Sequence, residues 1–164
     1  MLKICITNLR EYTVGRLTSE WVDLPAEKEA LQEITNRLSN NGQDEIFISD
    51  YETDIGIILL TYDSIESLNN LVSEFVQLDA YETEIVMTLL SDGHPLDDAL
   101  EKKDRACIFY KCNDMTDVAY DYLAETGMIP QNLEDYFNYE AYGRDMQMKS
   151  EFIFNKNGNC VQVW

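Results

Sequence analysis

The sequence predicts an α+β protein of small subdomains, and three observations carry that expectation. Short runs of alternating apolar and polar residues sit near both ends of the chain. Helical stripes with capping residues fill the middle, and no repeat, linker or low-complexity tract interrupts them. An N-terminal antiparallel sheet with a helix is expected over 1–61, an acidic helical subdomain over 62–103, and a sheet with helices over 104–164. Hydrophobic residues make up 45% of the chain, enough for a core, but each part is too small for a large one. An elongated molecule follows as the expectation.

The elements run as follows. Leu2 to Asn8, "LKICITN", alternates as a strand, and "LTSEWVDL" returns after a turn at Gly15, which makes a hairpin. Pro25 is expected to open a helix through Leu38 with the stripe Ala30, Leu31, Ile34 and Leu38. "NNGQD" stops it and "EIFISDY" is a third strand. In "YDSIESLNNLVSEFVQL", Ile65, Leu68, Leu71, Val72, Phe75 and Val76 share a helical face, with Asp63 and Glu66 at capping-box spacing. "YETEIVMTLLSDG" carries Tyr81, Ile85, Val86, Leu89 and Leu90 and ends at Gly93; Pro95 starts a third, short helix.

"ACIFY" returns to strand, and "DMTDVAYDYLAETG" is a helix capped by Asp114 and ended by Gly127. "LEDYFNYEAYGRDM" is expected to be a helix over 132–142 ended by Gly143, with Tyr136, Tyr139 and Tyr142 packed on the C-terminal sheet and Arg144 paired with an acid. "EFIFNKNGNCVQVW" closes the chain as a hairpin turned at Asn157-Gly158.

Charge is the strongest functional signal. There are 31 acids against 12 bases, a formal net charge of −19. The signs are segregated: neither the span from Leu38 to Glu101 nor that from Cys112 to Gly143 contains a Lys or Arg. Two carboxylates about 7 Å apart repel by roughly 0.6 kcal/mol even in water before salt screening, so many such pairs are a real cost. A sequence under selection for folding alone mixes signs along its helices. The two readings are an acidic face kept for solubility and a functional polyanion.

The N-terminus lacks the long apolar run of a signal peptide, and nowhere do eighteen apolar residues follow one another. A cytoplasmic protein with no membrane partner is expected. The four cysteines fit reduced thiols there, with Cys5 and Cys160 as buried strand residues. Cys107 and Cys112 form a lone C-x4-C without a second pair, so neither a metal nor a cofactor is expected.

Motifs of catalysis are scarce. Neither a P-loop nor a G-x-G-x-x-G occurs, and the single histidine, His94, lies before a proline helix start, where a solvated loop position is expected rather than a general base. Paired carboxylates are abundant enough for an acid-dependent hydrolase or nuclease, yet Asp97 and Asp98 stand in a helix first turn where the dipole already favours them. Direct nucleic-acid binding is opposed by sign, because a duplex is held by Lys and Arg that release its counterions. A large anionic surface suits instead a protein with a basic groove, of the kind found in DNA-handling enzymes.

Five stretches together resemble the ArdA antirestriction proteins of plasmids and conjugative transposons. They are "ITNLREYTVGRLTSEWVDLP", "ISDYE", "YDSIESLN", "DVAYDYLAETG" and "LEDYFNYEAYGRDM", in the family's order and over nearly the whole chain. "TDIGIILLT" after "ISDYE" departs from the family's proline-containing link, and Met146 stands where leucine is the family's residue. The resemblance implies a curved α+β homodimer whose carboxylates imitate the phosphates of bent DNA. It implies no enzyme activity, and as partner a type I restriction-modification enzyme, occupied at its methyltransferase and specificity core.

The acids expected to form the mimic surface are Asp63, Glu66, Glu74, Asp79, Glu82, Glu84, Asp92, Asp97, Asp98 and Glu101, extended by Asp114, Asp117, Asp121, Glu125, Glu134, Asp135 and Glu140. For any one of them a solvated charge or a helix cap is the competing role. Ile108 and Tyr110 on the strand "ACIFY" are expected at the dimer interface, because an apolar edge strand invites pairing. The alternatives are catalysis by paired carboxylates and general acidic binding of basic proteins.

Overall fold

The computed structural model describes residues 2–59 and 64–164. It is an α+β chain of two compact units, Met1–Asp79 and Ala80–Trp164, each with a three-stranded antiparallel sheet.

In the first unit β1 (Leu2–Asn8) is followed by a short helix α1 (Leu9–Thr13) and by β2 (Ser19–Leu24). The expected hairpin forms, with Ile4 opposite Val22 and Cys5 opposite Trp21. Helix α1 is the unexpected piece. Asn8 nucleates it: its side-chain oxygen accepts from Glu11 N at 2.8 Å, while its amide donates to Leu38 O at 2.7 Å. One buried amide thus caps one helix and takes up an orphan carbonyl at the end of the next.

Helix α2 (Lys28–Leu38) and strand β3 (Ile46–Thr53) follow, giving the sheet order β2-β1-β3. As the middle strand, β1 is buried at every position but Lys3. The helix begins three residues after Pro25, because Ala26 is held elsewhere. Its N–H donates to Asn69 Oδ1 at 2.8 Å and its carbonyl accepts from Asn69 Nδ2 at 3.0 Å. This paired amide contact binds α3 (Ile65–Phe75) to the sheet unit, with Leu68 and Val72 buried. Ser64 caps α3 by accepting from Ser67 N at 3.3 Å; Asp63, the expected cap, lies outside the described residues. Val76, expected on the apolar face, is exposed.

The second unit starts with α4 (Ala80–Ser91) and α5 (Leu96–Lys102), so the helices expected as one central group divide between the units. Ile85, Val86, Leu89 and Leu90 are buried as expected. Strand β4 (Ala106–Phe109), helix α6 (Met115–Thr126), helix α7 (Tyr139–Gln147), β5 (Glu151–Phe154) and β6 (Cys160–Val163) complete it, in the sheet order β4-β6-β5. Side chains alternate across this sheet. One face carries Cys107, Phe109, Phe152 and Cys160 against Met115, Val118 and Tyr122 of α6 and Met146 of α7.

The stretch around the tyrosines corrects the sequence reading. Gln131–Tyr136 is a 3-10 turn, the chain breaks at Phe137, and Asn138 caps α7 by accepting from Ala141 N at 3.0 Å. Gly143 therefore sits inside α7 instead of ending it. A Cβ there would lie 2.3 Å from Met115 O, so glycine is what lets α7 meet the first turn of α6. The periodicity of the stretch is genuinely helical, and only this crossing shows why its glycine is no terminator.

Candidate functional site

Helix α6 supplies the most regular array of carboxylates. Asp114 caps it, accepting from Thr116 N at 2.8 Å and Asp117 N at 3.0 Å, and Gly127 ends it in the left-handed conformation at φ +61. Asp117, Asp121 and Glu125 follow at steps of four residues, which places them along one edge at about 6 Å intervals. Their field is felt beneath them. Burial, with Asp121, Asp117 and Asp114 adding to it, pushes the Cys112 thiol up to about 11. The Cys107 thiol is raised as well, by burial first and then by Glu125. One acidic ridge thus overlies the thiol row of the core.

The 3-10 turn and α7 continue the negative charge. The Tyr139 phenol is raised by desolvation first, then by Glu134, Tyr120 and Asp135. Asp135 and Glu140 are exposed and Glu134 half-buried, with Glu140 in the first turn of α7 where the helix dipole favours it. The aromatic side chains pack on one another, and Tyr142 also lines a cavity with Gln162 of β6. Tyr139 lies 5.2 Å from Tyr120, and Phe137 lies 5.1 Å from Tyr139 and 5.8 Å from Tyr142 between ring centroids. Tyr136 is 86% exposed, against expectation. Arg144 is exposed, and no described carboxylate is seen to pair with it.

The acids of α4 and α5 play mixed parts. Asp92, Asp97 and Glu101 are exposed, Glu82 half-buried, and Glu101 lies 3.6 Å from Arg105. Glu84 is a structural clamp: its Oε1 accepts from Asn159 Nδ2 at 2.7 Å and from Asn155 Nδ2 at 3.1 Å, fastening the β5–β6 turn to α4. Asp98 faces Lys102 at 3.0 Å and His94 Nδ1 at 2.7 Å, and its carboxyl is held below the ordinary range by the Lys102 hydrogen bond first and by His94 next. His94 is not the solvated loop residue expected; its side chain is 15% exposed.

Glu66, Glu74 and Asp79 belong to the first unit and are exposed, with Glu66 3.3 Å from Lys28. Asp63 lies outside the described residues. In the second unit Ile108 is half-buried and Tyr110 is 54% exposed. Among the described residues strand β4 pairs with β6 alone, and the Ile108 backbone hydrogen-bonds the Tyr81 phenol.

On α6, Asp114 and Glu125 are exposed while Asp117 and Asp121 are half-buried, and Asp117 Oδ2 accepts from Asn113 N at 2.9 Å. Among the described residues, the groove between α2 and α3, about 330 Å³, is lined by one carboxylate, Glu66, already beside Lys28. The described lining offers no carboxylate pair of the kind general acid–base hydrolysis uses. The role of Glu84 was not legible in the sequence, since its partners lie far along the chain; Asp98 stands at i,i+4 spacing from Lys102 on α5, but its contact with His94 depends on how the α4–α5 loop turns. Among the described residues no helix is long and apolar enough to cross a membrane.

A family model described as antirestriction protein (ArdA) matches residues 4–161 of the chain. Comparison with curated proteins yields no match.

Proposed function

The chain belongs to the ArdA antirestriction protein family, and from that premise we propose that it works as a DNA mimic, occupying the DNA-binding groove of a type I restriction-modification enzyme. The observation that supports this reading best is the ridge Asp117, Asp121 and Glu125, in a span without one Lys or Arg, whose field reaches the thiol below. Asp114, Glu134, Asp135 and Glu140 extend it. Inhibition is then competitive occlusion, with no covalent step.

Magnitudes decide how such a mimic competes. The ridge carries one charge per about 6 Å, against one per about 3.4 Å of axis on a DNA strand. It condenses fewer counterions and gains less from releasing them. Its advantage is preorganisation: carboxylates held by a folded helix spare the enzyme the few kcal/mol that bending a duplex can cost. Binding weakens with salt, but less steeply than DNA binding does.

Pairing of two copies through β4, with Ile108 and Tyr110 at the contact, would double the array. The test adds the purified protein to a type I enzyme with DNA and follows cleavage and methylation together. Stoichiometric inhibition relieved by excess DNA is expected, with a shallower salt slope than the duplex. Single neutralisations should do little, while Asp117→Asn, Asp121→Asn, Glu125→Gln, Asp135→Asn and Glu140→Gln together should abolish inhibition. Turnover of DNA or enzyme, or one carboxylate carrying the whole effect, refutes the mechanism and points to catalysis.

A further inference from the structure

We propose that Asp92, His94 and Glu151 form a binding site for a first-row divalent metal ion, zinc being the best chemical fit. Two of the three donors, Asp92 and His94, come from the α4–α5 loop and the third from β5, all in the second unit, and their ligand atoms lie within 4.8 Å of one another. His94 Nε2 is 3.3 Å from Glu151 Oε1 and 3.9 Å from Asp92 Oδ2.

The orientation of the ring is the second observation. His94 Nδ1 lies 2.7 Å from Asp98 Oδ2, a distance that needs a proton between them, so Nδ1 donates to Asp98. Nε2 then faces two carboxylate oxygens, those of Glu151 and Asp92. In the neutral tautomer three electron-rich atoms converge there, and a metal ion bound among them offsets their repulsion. A carboxylate behind the ring, with the opposite nitrogen presented outward, is the arrangement that orients metal-bound histidines.

Size and charge fit a metal ion. Bonds of about 2.0–2.1 Å in a tetrahedral site put ligand atoms about 3.3 Å apart. The His94–Glu151 pair already has that separation, and the exposed Asp92, 3.9 Å from the histidine and within 4.8 Å of Glu151, has to close the remaining distance. An imidazole donor selects zinc and its neighbours over magnesium or calcium. Lys102 does not block the ion. Its Nζ lies 3.1 Å from Nδ1, at the other side of the ring, and 4.0 Å from the second oxygen of Glu151. The bound ion would tie the α4–α5 loop to β5 and neutralise two carboxylates of a crowded anionic unit.

The competing occupant of Nε2 is a proton, making an imidazolium clasp. Calorimetric titration of the metal-free full chain with zinc chloride at pH 7.5 separates the two. One saturable site per chain is expected, with a four-coordinate d–d spectrum on cobalt(II) substitution and a raised Tm. His94→Gln should weaken zinc at least 100-fold, and Asp98→Asn 10- to 100-fold by loss of ring orientation. Asp97→Asn and Glu101→Gln, neighbouring acids outside the site, should leave affinity within twofold. Absence of a saturable event overturns the proposal, as does zinc binding undiminished in His94→Gln. Nitrogen-15 spectra of the wild-type ring, independent of any variant's folding, should show the Nε2 resonance moving to the position of a metal-coordinated nitrogen on zinc addition; a protonated Nε2 at saturating zinc also overturns it.

Discussion

Replacing Gly143 by alanine sets two physical terms against each other, and the structure decides which wins. In an isolated helix the change should stabilise by about 1 kcal/mol, because alanine is the better helix former. In this fold the new Cβ would stand 2.3 Å from Met115 O and 2.8 Å from Met115 C, about 1 Å inside contact distance. Both atoms are backbone, in the first turn of α6, so neither can turn away as a side-chain end would. Overpacking of this kind costs about 1–3 kcal/mol, and a rigid neighbour puts the cost at the upper end. The expected net effect is a loss of about 2 kcal/mol. For a unit of this size that is a Tm lower by roughly 10 °C. Urea unfolding followed by circular dichroism measures it, with the slope unchanged and the midpoint lowered. Equal or greater stability of Gly143→Ala would mean that α6 and α7 do not cross as described.

Glu84→Ala should destabilise by about 2 kcal/mol, since the Asn155 and Asn159 amides lose a charged acceptor, and Glu84→Gln by about 1 kcal/mol. Hydrogen exchange should speed up first in the 155–159 turn; unchanged exchange there would remove the clamp. The thiols predict alkaline sensitivity. Cys112 and Cys160, pushed up to about 11 and about 12 mainly by burial, stay neutral while the unfolded chain ionises near 9. Their contribution is therefore full below pH 9 and is lost as pH rises through 11–12, so unfolding midpoints should fall over that window, and less so in Cys160→Val; a flat profile contradicts it. If two copies pair along β4 as proposed, Tyr110→Glu, at the exposed turn residue just after that strand, should shift sedimentation to the monomer without unfolding; an intact dimer would move the interface elsewhere.

Much of this molecule was legible along the chain. Strands β1 and β6, the α4 stripe, the Asp114 cap and the Gly127 stop follow from periodicity and capping chemistry, which act over a few residues and so leave a local trace. Charge segregation is of the same kind, and with the ordered motifs it carried the family. Other features leave no such trace. Pro25 looked like a helix start because the amide that holds Ala26 belongs to Asn69, far along the chain. Gly143 looked like a terminator because a glycine that ends a helix and one that lets two helices touch are the same letter. Glu84, read as one more surface charge, is a clamp because the β5–β6 turn returns to it. His94, read as a loop residue, is enclosed because Gly93 turns the chain at φ +100 and β5 brings Glu151 beside it. The sequence by itself determined which segments coil or extend and what sign of charge they bear; tertiary structure alone decided which carboxylates are displayed and which are used up, because that depends on neighbours the fold brings together from distant parts of the chain.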